Sequence, residues 1–269
     1  MKKLTFAAVA IAAIVFAACG GNKTTQSAEE SDSTKTFEQQ QIEASIKMNF
    51  DSLASEIARL KRLPIMEKDG AIVLTDEERQ VRPHYLLDPA IAETTMTLSE
   101  KYRVLSGLEI DREIAALYGL PLEDYDKAIA KMMADINDPS FKAVENESSI
   151  YEASQALYDA MNQNERINFF WQIVSASLVE QLYIISQNTD KFLAAFDDDA
   201  ASNVTLRIIL IQDAINRLTE YDPELLPVAE AIDPLSVINA TSVAELKEQM
   251  GQAKDQITEA RQALIELIY

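Results

Sequence analysis

The chain has 269 residues, and its 44 acidic residues against 24 Lys and Arg give a net charge of −20. Nucleic acids are bound largely through neutralisation of their phosphates by Lys and Arg, so a nucleic-acid partner is not expected. One cysteine, one histidine and six glycines exclude an intrachain disulfide, paired-histidine zinc motifs and Gly-rich phosphate loops, so the sequence predicts neither a cofactor nor a metal site.

The first 19 residues have the layout of an export signal. Two lysines precede an unbroken apolar run at 7–18, which is too short for a permanent membrane-spanning helix. The run ends in Phe-Ala-Ala before Cys19, and two glycines follow. This ending resembles the lipobox of bacterial lipoproteins, where small residues precede the cysteine that is lipidated and becomes the first residue. The resemblance implies a signal peptide at 1–18, lipid attachment at Cys19 and a location at the outer membrane of the cell envelope, facing the periplasm or the surface.

Residues 19–36 are predicted to be a disordered tether. Ala28 is the only apolar residue in the stretch 20–36, so this segment cannot contribute to a core. Its acidic, serine-rich run at 29–33 resembles stretches that send some Gram-negative lipoproteins to the cell surface, and a plain solvated linker explains the run equally well. Removal of the signal, which holds two lysines and no acid, makes the net charge −22.

From residue 37 onward, the sequence predicts an all-α, multi-helix bundle of about eight to ten helices, because apolar residues recur at helical spacing. An irregular segment near 64–89 interrupts the pattern, and an Asn-Asp-Pro break suggests a subdomain seam near 137–147 within the helical domain at 37–269. The main predicted helices cover 37–63, 76–81, 88–105, 109–118, 122–136, 148–161, 164–186, 199–220 and 243–268.

The segment at 164–186 is the most apolar of the predicted helices. Apolar residues, Trp171 among them, extend well beyond one face, which places this helix at the centre of the bundle. It contains Glu180 and lies far from any signal position, so we reject a membrane span. Three polar residues interrupt the apolar surface, and a ligand pocket, a buried hydrogen-bond network or plain exposure each explains them: Asn168, Gln172 and Ser175.

Two further patterns have structural explanations. The consecutive acids at 197–199 precede a predicted helix, where capping and the helix dipole favour them, and the ligand spacing of a calcium loop is missing. The last predicted helix has a heptad seam, which either packs within the bundle or is offered to a partner helix.

The irregular segment contains the candidate ligand-binding residues. The window 59–84 carries six basic and five acidic residues, so it is close to +1 in a strongly acidic chain. Arginine suits carboxylate or phosphate, tyrosine adds a flat face with a polar tip, and two arginines three apart share a face of the predicted helix. We therefore expect an anionic or carbohydrate-like group to bind here; the alternative is that these residues pair with nearby acids and brace the segment. The four residues are Arg79, Arg82, His84 and Tyr85.

These features favour a non-catalytic, lipid-anchored envelope protein that acts by binding or scaffolding. Its expected partners are the membrane, through the lipid anchor, and an envelope protein or glycan. A ligand-capture lipoprotein and an envelope hydrolase that uses carboxylates are the alternatives. A concave pocket with converging acids of perturbed pKa favours an enzyme, an apolar cleft rimmed by aromatic residues favours capture, and a flat helical surface favours scaffolding.

Replacing the predicted lipid-attachment residue tests the anchor. Acyl chains contribute about 0.8 kcal/mol per buried CH₂, and more than one chain is needed for stable attachment. Cys19→Ser should therefore abolish incorporation of labelled fatty acid and release the protein from membranes, as measured by metabolic labelling and fractionation. Equal labelling of wild type and variant would contradict the lipobox interpretation.

Overall fold

The computed structural model describes residues 37–70, 72–94, 97–143 and 154–267. The predicted signal peptide, Cys19 and the tether lie outside the described residues. Within the described ranges the chain forms helices of several kinds and no strand. The predicted all-α multi-helix bundle is therefore confirmed, and the subdomain seam stays a prediction.

Ten α-helices lie within these ranges: α1 Phe37–Arg59, α2 Leu98–Leu117, α3 Glu123–Ile136, α4 Ser154–Gln163, α5 Ile167–Gln187, α6 Thr189–Phe192, α7 Asp198–Leu218, α8 Leu226–Ile232, α9 Val243–Gln252 and α10 Lys254–Arg261. A π-helical turn, Gln262–Glu266, continues α10. Most of the short 3-10 helices begin at or beside a proline, which fits only the first turn because it lacks an N–H. Their bounds are Pro64–Met66, Glu78–Gln80, Pro89–Glu93, Pro139–Ala143, Pro223–Leu225 and Asp233–Val237.

Helix α5 lies at the centre of the bundle, as its sequence predicts. It packs against seven other helices: α2, α4, α6, α7, α8, α9 and α10. The indole of Trp171 is fully buried and meets the rings of Phe50 and Phe170 at centroid distances of 6.3 and 5.3 Å. By length and composition α5 could cross a membrane, yet 83% of its apolar window is buried inside the protein, which is typical of a core helix.

The polar stripe of α5 forms a hydrogen-bond network. Gln172 is buried, and its Oε1 accepts from Arg103 Nη1 at 2.7 Å. Asn168 Nδ2 donates to Asp222 Oδ2 at 2.9 Å, and Ser175 donates to the carbonyl of Trp171 one turn earlier. The stripe therefore ties α5 to its neighbours, and the ligand-pocket explanation is not needed for it.

Helix α2 is one continuous helix where the sequence predicted two, at 88–105 and 109–118. A capping box begins it: Glu100 N–H donates to Thr97 Oγ1, and Thr97 N–H donates to the Glu100 carboxylate at 2.6 Å. Gly107 lies mid-helix and serves close packing, because a Cβ there would come within 2.9 Å of Ile265 and 3.0 Å of Leu87. The start of the predicted first helix is instead the separate 3-10 helix at Pro89–Glu93.

The C-terminal helix, predicted to be continuous over 243–268, is also divided. Ala253 leaves the helical conformation between α9 and α10, and Leu267 adopts a left-handed conformation with φ 57° that ends the π-helical turn. Seam residues Leu246, Met250 and Ile257 are fully buried, so the heptad pattern packs within the bundle. Of the three consecutive acids, Asp197 is the N-cap of α7 and accepts from Ala200 N–H at 2.8 Å, while Asp198 and Asp199 lie in the first turn, where the helix dipole favours them.

Truncation of the central indole should destabilise the bundle. Trp171→Ala removes a fully buried aromatic side chain and should lower the free energy of unfolding by about 3–5 kcal/mol. The control Ile209→Ala changes a side chain that is 52% exposed on α7 and should stay within about 0.5 kcal/mol of wild type. Urea unfolding measures both, and equal midpoints for the two variants would place the core elsewhere.

Candidate functional site

In the irregular segment, the 3-10 turn Glu78–Gln80 stands where a helix over 76–81 was predicted. The predicted capping box is present, since Thr75 N–H donates to Glu78 Oε2 at 2.8 Å and Glu78 N–H donates to Thr75 Oγ1 at 3.2 Å. The turn nevertheless ends at Gln80, because Val81 is extended and Pro83 disfavours helical backbone at the residue before it. The prediction that Arg79 and Arg82 share a helix face is therefore wrong.

A cavity of about 340 Å³ lies between this segment and the end of α10, and we call it the segment cleft. Two of the four predicted site residues, Arg82 and His84, line it. Arg79 and Tyr85 are not among the lining residues. The sequence did not single out the residues on the opposite wall, Arg261 and Glu266. The full lining is Arg82, Pro83, His84, Leu86, Leu87, Asp88, Ile91, Arg261 and Glu266.

Arg261 is held rigidly behind the cleft. Its Nε and Nη2 donate to the two carboxylate oxygens of Glu180 at 2.8 and 2.9 Å, which is the bidentate geometry that a guanidinium favours. Its Nη1 pairs with Glu266, and its guanidinium lies 4.0 Å from the ring centre of Tyr183. The side chains of Arg261 and Glu180 are 3% and 0% exposed, so the pair is shielded from water.

Asp111 completes this buried cluster and fixes the segment to it. Leu87 N–H donates to Asp111 Oδ2 at 2.5 Å, and Arg261 Nη2 donates to the Tyr85 carbonyl at 3.2 Å. Burial raises the pKa of Asp111 well above its ordinary value, and the charge of Glu180 adds to the shift. Within the described residues Oδ1 receives no donor, which is consistent with the raised pKa, because a carboxylate oxygen buried without a donor is less stable than its protonated form.

The predicted site residues have unequal environments. Arg82 Nη2 lies 3.2 Å from Asp88 Oδ2, with the side chains 39% and 70% exposed, and such an exposed pair contributes little to stability. His84 meets the ring of Tyr85 edge-on at 5.6 Å. Tyr85 is half-buried against Phe192, and burial raises the pKa of its hydroxyl.

Bracing of the segment therefore explains one of the four predicted residues, and a position in the cleft distinguishes two others. Tyr85 braces the segment through its ring and its carbonyl, whereas Arg82 and His84 face the cleft. Arg79 is exposed on the 3-10 turn, and Glu78 pairs with Lys191 at 3.5 Å rather than with an arginine of the segment. Of the ion pairs with nearby acids that the bracing alternative expects, the structure contains the one between Arg82 and Asp88.

The charged residues behind the cleft come from distant parts of the chain. Glu180 and Arg261 are 81 positions apart, and Asp111 lies on a third helix. The only signal in the sequence was one acid, Glu180, within the most apolar helix, since such an acid requires a buried partner. Across the described ranges, no group of three or more His, Cys, Asp or Glu is arranged to hold a metal ion.

Comparison of the chain with protein-family models, with curated proteins and with solved structures finds no match.

Removal of the titrating carboxyl should flatten the pH dependence of stability. Because the pKa of Asp111 is raised in the folded state, the folded protein holds this proton at pH values where the unfolded chain has released it. The free energy of unfolding should fall as pH rises above about 3.9, by up to about 1.4 kcal/mol per pH unit until the folded-state pKa is passed. Asp111→Asn cannot titrate but keeps an acceptor for Leu87 N–H and a donor toward Glu180, so it should lose this decline.

Urea unfolding between about pH 4 and pH 8 measures the effect. The matched control is Asp124→Asn, whose side chain is 85% exposed and which should keep the wild-type profile. An Asp111→Asn profile that runs parallel to wild type would show that this carboxyl does not hold the proton.

Proposed function

We propose that the protein is a lipid-anchored protein of the cell envelope that binds an anionic group of an envelope protein or glycan in the segment cleft and does not catalyse a reaction. The observation that carries the proposal is the cleft itself. Arg82, His84 and Arg261 surround a cavity of about 340 Å³ in a chain whose net charge is −20. An anion that approaches such a chain needs an accessible cation, and the cleft offers Arg82, whose partner in it is the exposed Asp88.

The two arginines of the cleft differ in how firmly they are held. Arg261 is fixed by Glu180 and Glu266, so it shapes the cavity without moving. Among the described residues Arg82 pairs only with the exposed Asp88, and an exposed pair of this kind is worth about 0–1 kcal/mol. An incoming carboxylate or phosphate therefore replaces Asp88 at little cost and gains bidentate hydrogen bonds from the guanidinium.

The positions of the acids favour binding over hydrolysis, because the two acids in the cleft lining, Asp88 and Glu266, pair with arginines. Asp111 and Glu180 are 0% exposed, and neither lines the cleft. A general acid or base must come within hydrogen-bond reach of its substrate. The hydrogen bonds of these carboxyls go instead to Leu87 N–H and to Arg261, which hold the fold together.

The anchor and tether fit the same proposal. A lipid on Cys19 would hold the protein at the outer membrane, and the 18 residues at 19–36 would span at most about 60 Å when extended. The negative charge of the mature chain disfavours lying flat on an anionic membrane. The cleft would then lie close to the membrane and be accessible to glycans and other envelope proteins.

The cleft arginine should be required for anion binding, and an arginine outside the cleft should not. Calorimetric titration of the full-length protein with glucuronate and glucose 6-phosphate, with glucose as the neutral control, measures this. Arg82→Gln should weaken binding of the anionic sugars at least tenfold, since a hydrogen bond to a charged group is worth about 1.5–3 kcal/mol.

The matched control is Arg79→Gln, which changes the same residue type in the same segment but outside the cleft lining. It should bind like wild type, and thermal unfolding should be unchanged in both variants. Equal losses in the two variants, or no preference of the wild type for the anionic sugars, would overturn the proposal.

A further inference from the structure

A second cavity lies between the end of α1 and helices α5 and α7, and it shares no lining residue with the segment cleft. We call it the interhelical cavity; its volume is about 210 Å³. Its walls are largely apolar, with six aliphatic side chains: Ile57, Ala58, Leu60, Val174, Leu178 and Ile211. Pockets that bind small molecules have this character, with an apolar lining and a few polar groups that fix the orientation of the ligand.

Gln181 is the first polar group of this cavity. Its side chain is 1% exposed, and its Oε1 has no hydrogen-bond partner among the described residues. Buried amide groups are nearly always hydrogen-bonded, so this one indicates a missing partner. Rotation about the last side-chain bond presents either the oxygen or the nitrogen to the cavity, and a hydroxyl group, which both donates and accepts, matches either orientation.

Two guanidinium groups are the second feature. Arg62 and Arg207 both line the cavity, and Arg207 is only 4% exposed. Arg62 also pairs with Glu113, and Arg207 donates to the carbonyl of Lys61, so both side chains are held in place. No carboxylate stands among the described residues that line the cavity. The lining therefore offers guanidinium groups and no carboxylate, with Glu113 pairing Arg62 from outside it, and the planar donors of arginine suit a carboxylate.

We propose that the interhelical cavity binds a small carboxylic acid that has an apolar body and a hydroxyl group. The carboxylate lies toward Arg62 and Arg207, the hydroxyl group bonds to the amide of Gln181, and the hydrocarbon part packs against the aliphatic walls. An engineered apolar cavity of about 150 Å³ accommodates benzene, so the interhelical cavity has room for a phenyl ring or a branched chain with its polar substituents. This site is independent of the segment cleft.

The probe is 3-phenyllactate, which has all three features. Two analogues each lack one feature: 3-phenylpropionate lacks the hydroxyl group, and 3-phenylpropane-1,2-diol lacks the carboxylate. Calorimetric titration of the full-length protein in detergent should show that each analogue binds at least tenfold more weakly than 3-phenyllactate. Equal affinities for the three compounds, or no binding of 3-phenyllactate, would overturn the proposal.

Variants then locate the binding. Gln181→Leu should lose the discrimination between 3-phenyllactate and 3-phenylpropionate, because it removes the only group assigned to the hydroxyl. Ile211→Trp fills the cavity and should abolish binding, while Ile209→Trp, at a position that is 52% exposed on the same helix, should bind like wild type. Discrimination that survives in Gln181→Leu would contradict the proposed position of the ligand, even if Ile211→Trp fails to fold.

Arg82→Gln separates this inference from the proposed function. It alters the segment cleft alone and should leave the affinity for 3-phenyllactate unchanged. Loss of 3-phenyllactate binding in Arg82→Gln, with binding retained in Ile211→Trp, would assign the acid to the segment cleft and overturn the inference.

Discussion

The buried ion pair between Glu180 and Arg261 is the interaction on which the arrangement of this bundle depends. An acid in the middle of the most buried helix is strongly unfavourable unless it is neutralised, because its hydration is lost. Arg261 supplies the opposite charge from the far end of the chain, with two hydrogen bonds to the carboxylate. Removing one partner of a buried pair typically costs about 3–5 kcal/mol, so this pair holds α10 against α5.

The same cluster positions a segment that has little regular structure of its own. Backbone groups in such a segment need partners when they are buried. The Tyr85 carbonyl finds Arg261, the Leu87 N–H finds Asp111, and the Leu87 carbonyl accepts from the Tyr125 hydroxyl at 2.9 Å. The segment is therefore irregular but fixed, and its two cleft-facing side chains stand opposite a rigid wall.

Two consecutive residues of α5 lie next to the two different cavities. Glu180 and Gln181 are both almost completely buried, but they point to different neighbours because successive helical residues are rotated by about 100°. Glu180 meets Arg261 behind the segment cleft, whereas Gln181 borders the interhelical cavity with Oε1 unpartnered among the described residues. One polar residue has a structural role, and the other is available to a ligand.

Local interactions explain what the sequence determined. The helical period identified the all-α bundle and the central helix, and the Thr75–Glu78 capping box formed as predicted because its two hydrogen bonds join residues three apart. Two of the nine residues that line the segment cleft, Arg82 and His84, were singled out from the sequence because they are close in the chain and lie in a window of reversed charge.

Only the tertiary structure decided the features that depend on distant contacts. Gly107 lies inside the continuous α2 at a point where Ile265 and Leu87 leave no room for a Cβ. The other wall of the cleft, Arg261 and Glu266, reaches the segment only when α10 packs on α5. The pKa of Asp111 is raised because two helices bury this carboxyl and bring it close to the charge of Glu180. A periodic pattern indicates which face of each helix is buried. It does not indicate the partners of buried polar residues, because the packing of whole helices brings together residues 69 or 81 positions apart, such as Arg103 with Gln172 and Glu180 with Arg261.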